Sequence, residues 1–427
     1  MTQCDKAVDG GAGPALSAAP GMALIVQKYG GTSVGDIGRI KNVARKAIAA
    51  QREGHKVVVV VSAMSGETNR LLKLVHEITE RPNEREQDVV VATGEQVTIG
   101  LTAIALGAAG GRARSFMGHQ CRIVTDSTFS KARIKRIDAD AIYASLDRAE
   151  IAVIAGFQGV DEDGNLTTLG RGGSDTTAVA IAAAIKADAC EIYTDVDGVY
   201  TTDPNVCRAA RKLERVSYEE MLELASVGAK VLQIRSVELA MKYQVPLWVK
   251  SSFTDDPGTL VCEEDAAMED VLVSGVALDR NEVRVSIARV PDAPGVAARI
   301  FGALDQKAIS VDVIVQAPPV DGKTDLTFTV GKADLVKTKD VIDHLVPEIQ
   351  AGEVQVDEEC CKVSIVGVGM RTHSGVAARM FKTLYQEGIN ILAISTSEIR
   401  VSCLIPPKYA ELAVRALHTE FGLDQAA

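Results

Sequence analysis

Val26-Gln27-Lys28-Tyr29-Gly30-Gly31-Thr32-Ser33 is the stretch on which the reading of the fold turns. Residues 23–27 read as a strand, and the paired glycines straight after it make a bend where backbone can approach a ligand closely. Glycine N–H groups left free there suit phosphate oxygens, and Lys28 at the mouth adds a compact positive charge. A glycine turn beside a surface lysine would carry the same letters, so the flanking segments have to decide.

Outward from that strand, Ile40, Val43, Ala44, Ala47 and Ile48 follow the spacing of one helix face. Residues 57–61 are an unbroken apolar run, as expected of a strand covered on both faces. Further helices are expected at 95–109 and 176–186, and further strands at 151–155, 190–194 and 246–250. Ser217 with Glu220 predicts a capping box ahead of 221–225. Strands alternating with helices define an α/β domain built on a mainly parallel sheet.

Beyond an acidic linker at 263–270 the text repeats itself. Asp292-Ala-Pro-Gly295-Val-Ala-Ala-Arg-Ile-Phe301 realigns with Thr372-His-Ser-Gly375-Val-Ala-Ala-Arg-Met-Phe381. Each copy reads as a strand, a glycine-led helix and a second strand, a small α+β module used twice; two copies are too few for a solenoid. The expected division is a disordered tail at 1–21 with Met22 as the natural start, a first domain at 22–262, and modules at 271–350 and 351–427.

Composition narrows the function. The 427 residues carry a net charge of −11, which argues against a nucleic-acid backbone as partner but leaves room for a locally positive site that takes a small anion. No apolar run approaches the ~20 residues of a membrane span, so no membrane is expected. The eight cysteines show no C-x-x-C pair or zinc spacing, which favours buried free thiols in a reducing cytoplasm, and no metal-ligand cluster is expected.

Three more segments accompany the lysine bend. Thr167-Thr-Leu-Gly170-Arg171-Gly172-Gly173-Ser174-Asp175 precedes the Ala-rich helix; glycines leading into a helix start suit an anion, and Arg171 offers a planar fork for a carboxylate. Capping by Ser174 or Asp175 is expected as well. Ser62, Thr68 and Glu95 fall at strand-to-helix junctions, where open α/β sheets bind ligands. Residues 193–204 set three aspartates among Thr and Tyr hydroxyls after a strand, suited to a nucleotide; Asp197-Gly198 also reads as a tight hairpin turn. Lys230 is the nearest basic candidate.

Together, Lys28-Tyr-Gly-Gly-Thr-Ser, Thr93-Gly-Glu95, the 167–175 and 193–204 segments and Ser395-Thr-Ser-Glu398 resemble the monofunctional bacterial aspartate kinases over 22–423. The resemblance implies an amino-acid-kinase three-layer sandwich followed by two ferredoxin-like ACT modules. It implies phosphorylation of the L-aspartate β-carboxylate by ATP, the entry to lysine, threonine, methionine and diaminopimelate synthesis, with Mg²⁺ held mainly by the nucleotide phosphates. Lys28 and Asp175 would be catalytic. Ser62, Thr68, Glu95, Arg171, Gly172, Gly173 and Ser174 would hold aspartate. Lys28, Tyr29, Gly30, Gly31, Thr194, Asp195, Tyr200, Asp203 and Lys230 would bind the nucleotide.

The same resemblance implies feedback by lysine, threonine or both. Its contacts would be Asp292, Gly295, Ser310, Asp312, Gln316, Asp325 and Thr327 in the first module, and Asn390, Ile391, Ser397 and Glu398 in the second. A homodimer through the ACT modules is implied, or a heterotetramer with a shorter subunit starting near Met268. The rival readings are a non-catalytic ACT sensor and an amino-acid kinase for another acyl substrate.

Overall fold

The computed structural model describes residues 22–228 and 231–425. Strand β1 (Leu24–Tyr29) passes through a short turn into α1 (Ile37–Arg52), capped by Asp36, whose side chain accepts the Arg39 N–H. The buried face of α1 is Ile40, Val43, Ala44, Ala47 and Ile48, the residues whose spacing predicted it. Next come β2 (Lys56–Val61), α2 (Glu67–Ile78), α3 (Glu84–Val91), α4 (Thr93–Ala108) and β3 (Ala113–Phe116). They are followed by β4 (Ile123–Thr125), β5 (Ile134–Ile137), α5 (Asp140–Asp147), β6 (Ile151–Ala155), β7 (Gln158–Val160) and β8 (Leu166–Thr168). The domain closes with α6 (Gly173–Ala184), β9 (Ala189–Thr194), β10 (Arg215–Ser217), α7 (Tyr218–Ser226), α8 (Ile234–Tyr243), β11 (Leu247–Ser251) and β12 (Thr259–Cys262).

Eight of these strands form one sheet in the order β10-β12-β11-β9-β1-β2-β6-β3, parallel throughout except where β11 meets β12. The strands β5-β4-β7-β8 make a separate small sheet. Strand alternation explains the valine run of β2. Val58 and Val60 enter a core with residues of α5, α6 and α8, whereas Val57, Val59 and Val61 enter another with residues of α1 and α4. Both faces of the sheet are thus covered, giving three layers.

Two local expectations are corrected. Glu84–Ala108 taken end to end has the length and hydropathy of a membrane span, which the sequence reading did not anticipate. It is broken at Ala92 into α3 and α4, and α4 buries Glu95, Thr98, Ile99, Thr102 and Leu106 against the sheet domain. The Ala-rich helix begins at Gly173, three residues earlier than its apolar period suggests.

After α9 (Ala266–Glu269) come β13 (Gly275–Pro291), α10 (Val296–Asp305), β14 (Val311–Gln316), β15 (Lys323–Gly331) and α11 (Leu335–Ile349). The order recurs as β16 (Val354–Val366), α12 (Val376–Gln386), β17 (Ala393–Thr396), β18 (Arg400–Ile405) and α13 (Ala410–Glu420). Each copy is therefore βαββα, one strand and one helix more than the repeat alone indicated. Gly295 and Gly375 occupy the same N-cap position with φ of 92° and 90°, a conformation L side chains resist, which is why both copies keep glycine there.

The two copies share one six-stranded sheet, β14-β15-β13-β16-β18-β17. Its two central strands serve both modules. Gly275–Asp279 pairs with Lys362–Val366, and Val273 and Val276 join the core of the second module. Val354 and Val356 at the start of β16 pack instead on the core of the first. Ala277 and Val366 reach into the core of the large domain, so the modules are joined to it by buried contact as well as by the linker.

Candidate active site

The parallel strands end at one level: Tyr29 lies beside Val61 and Tyr193, Val61 beside Ala155, and Thr194 beside Ser251. Loops 30–33, 62–66, 156–157, 195–199 and 252–254 therefore emerge together on the carboxyl edge. β1 sits at the point where the strand order reverses, the crevice that open α/β sheets use for ligands.

Lys28 projects toward α6, where its Nζ lies 2.5 Å from Asp175 Oδ1. Both side chains are about nine-tenths buried. A Cβ on Gly30 would come 3.3 Å from that Nζ, and one on Gly31 would press on the Ala63 carbonyl at 3.1 Å, so the glycine pair keeps the space around the lysine open. Tyr29, one residue on, points to the other face of β1. It is fully buried, stacks on Tyr193 with centroids 4.6 Å apart, and its hydroxyl donates to Gln27 Oε1. That corrects the expectation of a nucleotide-binding Tyr29: strand alternation sends its ring into the core.

The glycine-rich segment reaches α6 through Gly170 and Gly172, both with φ near 70°. A Cβ on Gly172 would collide with Gln233 at 2.0 Å, and one on Gly156 with Ser174 Oγ at 2.6 Å, so α6 begins against neighbouring chain. The predicted capping is corrected as well. Among the described residues no side chain caps α6; Thr176 and Thr177 donate to the Gly172 and Gly173 carbonyls behind them. The first turn keeps N–H groups free of side-chain caps beside Asp175, the arrangement that attracts anions. Arg171 is exposed at the lip of this turn, and its guanidinium makes no ion pair among the described residues. Arg235, which sequence reasoning passed over, donates to the Leu169 and Arg171 carbonyls and holds the loop in shape.

Glu95 lies in the first turn of α4, buried, with Oε1 accepting the Ala63 N–H at 2.9 Å and Oε2 without a partner among the described residues. Burial pushes its pKa up to about 7, against the pull of that N–H. An orphaned buried carboxylate oxygen is costly unless a cation completes it. Ser62, half-buried, donates its N–H to the Tyr29 carbonyl, and Thr68 lies half-buried at the start of α2. A Cβ on Gly94 would strike Ala63 at 2.7 Å, so glycine there lets α4 bring Glu95 under this loop. A second carboxylate, Asp88, has no counterpart in the sequence reading. Fully buried, it accepts from the N–H and hydroxyl of both Ser130 and Thr168, tying α3 to the glycine segment.

At the ends of β9 and β11 a cavity of about 940 Å³ opens, lined by Thr194, Asp195, Tyr200 and Asp203, four predicted nucleotide contacts, whereas Lys28, Gly30 and Gly31 are not among its lining residues. Lys230 lies outside the described residues. Asp197-Gly198 is not a hairpin turn: Gly198 packs against Thr259 and Lys212, and the Tyr200 hydroxyl donates to Asp197. One wall was not legible beforehand, since it comes from Val276–Asn281 of β13 and Val414 of α13.

In the modules, the predicted effector residues divide. Asp292 and Asp325 meet around one turn, Asp292 N–H donating to Gly322 and Asp325 accepting the Arg289 N–H, with Gly295 at the adjoining helix start and Gln316 one step along β14. Thr327 bonds Ser286. Asp312 is an ion-pair partner of the buried Lys362, which also pairs with Glu282 at 2.5 Å. Ser310 and Asn390 are exposed ahead of β14 and β17, while Ile391 packs on the second core. Ser397 sits against the large domain, donating to Glu223 of α7, whereas Glu398 is exposed and lies 3.8 Å from Arg371 of its own module, which is itself paired with Glu219.

The amino acid kinase family profile matches residues 23–251, and ACT domain profiles match 283–345 and 363–421. The aspartate kinase of Pseudomonas putida is 57% identical over 95% of this chain and 99% of its own. Among solved structures, Escherichia coli aspartokinase III with aspartate and ADP matches with a TM-score of 0.78 at 27% identity, over 93% of this chain and 99% of that one. The same enzyme with lysine and aspartate matches at a TM-score of 0.76 and 27% identity, over 93% and 99%. The fold and these matches define an amino acid kinase domain followed by two ACT domains. The chain belongs to the aspartate kinases of the amino acid kinase family.

Proposed function

We propose that this chain transfers the γ-phosphoryl group of ATP to the β-carboxylate of L-aspartate, forming 4-phospho-L-aspartate and ADP. The observation that carries the reading is the buried Lys28–Asp175 pair at the uncapped first turn of α6, on the same strand edge as a cavity of nucleotide size at the end of the neighbouring β9. The attacking carboxylate is ionised at pH 7, so no general base is required. The task is to bring two anions together in line and offset their charge. Lys28 would meet the charge that grows on the transferring group, and Asp175 would hold its ammonium in one place. Gly30 and Gly31 would admit the phosphates. Arg171, Gly172, Gly173 and Ser174 would take the aspartate α-carboxylate at the α6 N-terminus. Glu95 Oε2 would take the α-ammonium, with Ser62 and Thr68 beside it.

Thr194, Asp195, Tyr200, Asp203 and Lys230 would line the nucleotide. Mg²⁺ would neutralise the phosphates, which would supply most of its ligands. Coupled detection of ADP, with aspartate, glutamate and acetylglutamate compared and the acyl phosphate trapped by hydroxylamine, tests the reading. Turnover that ignores aspartate overturns it.

Feedback by lysine, threonine or both at the ACT modules, a homodimer through those modules or a heterotetramer with a subunit starting near Met268, and a cytoplasmic location complete the proposal. Assays with each amino acid singly and together, and light scattering on the full chain, test the first two.

A further inference from the structure

Thr201 stands between Tyr200 and Thr202, both of which line the nucleotide cavity, yet it is itself 1% exposed. The bonds that fix it run to Arg211, to β13 and to α13. Its N–H donates to the Arg211 carbonyl at 2.9 Å, and its carbonyl accepts the Val276 N–H of β13 at 2.7 Å. Its hydroxyl oxygen accepts the Arg211 N–H at 3.0 Å and shares a 2.9 Å hydrogen bond with Nε2 of His418. His418 belongs to the last turn of α13, in the second ACT module, 217 residues away along the chain and fully buried. Its Nδ1 has no partner, so the contact with Thr201 is the only hydrogen bond of the ring among the described residues. Arg211 carries the same link a second time, its Nε donating to the Leu423 carbonyl just beyond α13.

We propose that His418 is a positioning residue for the nucleotide: through Thr201 it fixes the 200–203 loop, so the second ACT module is a working part of the ATP site. The inference rests on the reading of this cavity as the nucleotide site. A buried imidazole with a single partner gains little from solvent and much from that bond, because nothing replaces it if the loop moves. Any displacement of α13 relative to the large domain is then felt at Tyr200, Thr202 and Asp203. It needs no passage through Lys28 or the aspartate side.

The test is steady-state kinetics on the full chain. His418→Leu keeps the volume and removes the bond, and it should raise KM for ATP about three- to tenfold, the range of one lost hydrogen bond. KM for aspartate should stay unchanged. His418→Gln, whose amide reaches the same position as Nε2 with either a donor or an acceptor, should return KM for ATP to within about twofold. Thr201→Val should behave like His418→Leu, Thr201→Ser like the parent, and the double Thr201→Val/His418→Leu no worse than either single change. Should His418→Leu fail to fold, the Gln, Val and Ser variants carry the comparison. An unchanged KM for ATP in His418→Leu or Thr201→Val overturns the proposal, as does a Gln variant as impaired as Leu, or equal rises in both KM values. Calorimetric titration with ATP separates this from the activity: if the parent binds ATP without acting on aspartate, the functional reading fails while the clamp is still measured.

Discussion

Lys28 Nζ and Asp175 Oδ1 meet at 2.5 Å, joining the end of the central strand to the first turn of the helix packed across it. The contact fixes the ammonium where the strand edge, the glycine bend and the helix N-terminus converge. Lys28→Ala should lower kcat about 10²–10³-fold, the cost of losing a charge partner in a transition state, with the protein still folded by circular dichroism. Asp175→Asn should lower kcat less, because the lysine remains but is no longer held. Near-normal turnover in Lys28→Ala would refute its role.

Arg171 is exposed at the lip and forms no ion pair among the described residues, so its removal disturbs little of the empty fold. Arg171→Ala should raise KM for aspartate by about ten- to a hundredfold, the loss of a charge-assisted hydrogen bond pair, and leave KM for ATP near its normal value. Initial-rate measurements with each substrate varied in turn will show the split.

Glu95 yields a pH dependence whose sign follows from its environment. Burial holds the empty site's carboxyl near pKa 7. Below that value the group is protonated and neutral and cannot pair with the α-ammonium; above it the carboxylate forms. KM for aspartate should therefore fall as pH rises from about 6 to 8, with KM for ATP flat. Glu95→Gln should bind aspartate weakly at every pH and lose the dependence. A slope that survives in Glu95→Gln assigns the titration elsewhere.

The Lys362 ammonium, buried between Glu282 and Asp312, tests the core of the ACT pair. Even with the lysine beside it, burial keeps the Glu282 carboxyl above its usual pKa. Lys362→Met strands that acid and should destabilise the protein by about 3–5 kcal/mol, seen as an earlier denaturation midpoint. Adding Glu282→Gln should recover part of the loss. A midpoint unaltered by Lys362→Met would mean that water reaches the triad.

How much of this was legible beforehand depends on the range of the interaction. The buried face of α1, the valine strand, the capping box of Ser217 with Glu220 and the eighty-residue repeat are local patterns, and chain periodicity alone places them. The second use of Glu220 was hidden. Its other oxygen accepts from Ser274 and from the Val368 N–H, latching the large domain to the modules, and no spacing within 217–220 announces partners 54 and 148 residues away. Tyr29 failed for a related reason: a motif groups neighbours along the chain, whereas a strand sends neighbours to opposite faces.

By itself, then, the sequence determined the elements, their α/β alternation, the duplicated module and the charged and glycine residues that a phosphoryl-transfer edge requires, because each follows from short-range sterics and periodic burial. Only the tertiary structure decided which of those residues share a space. It set Lys28 on Asp175, left Glu95 Oε2 without a partner among the described residues, paired Asp312 with Lys362 and Ser397 with Glu223, and closed the cavity around residues 194–206 with β13 and α13. Those outcomes depend on how packed layers bring distant chain segments together, and packing is a property of the whole surface an element buries, which no local pattern encodes.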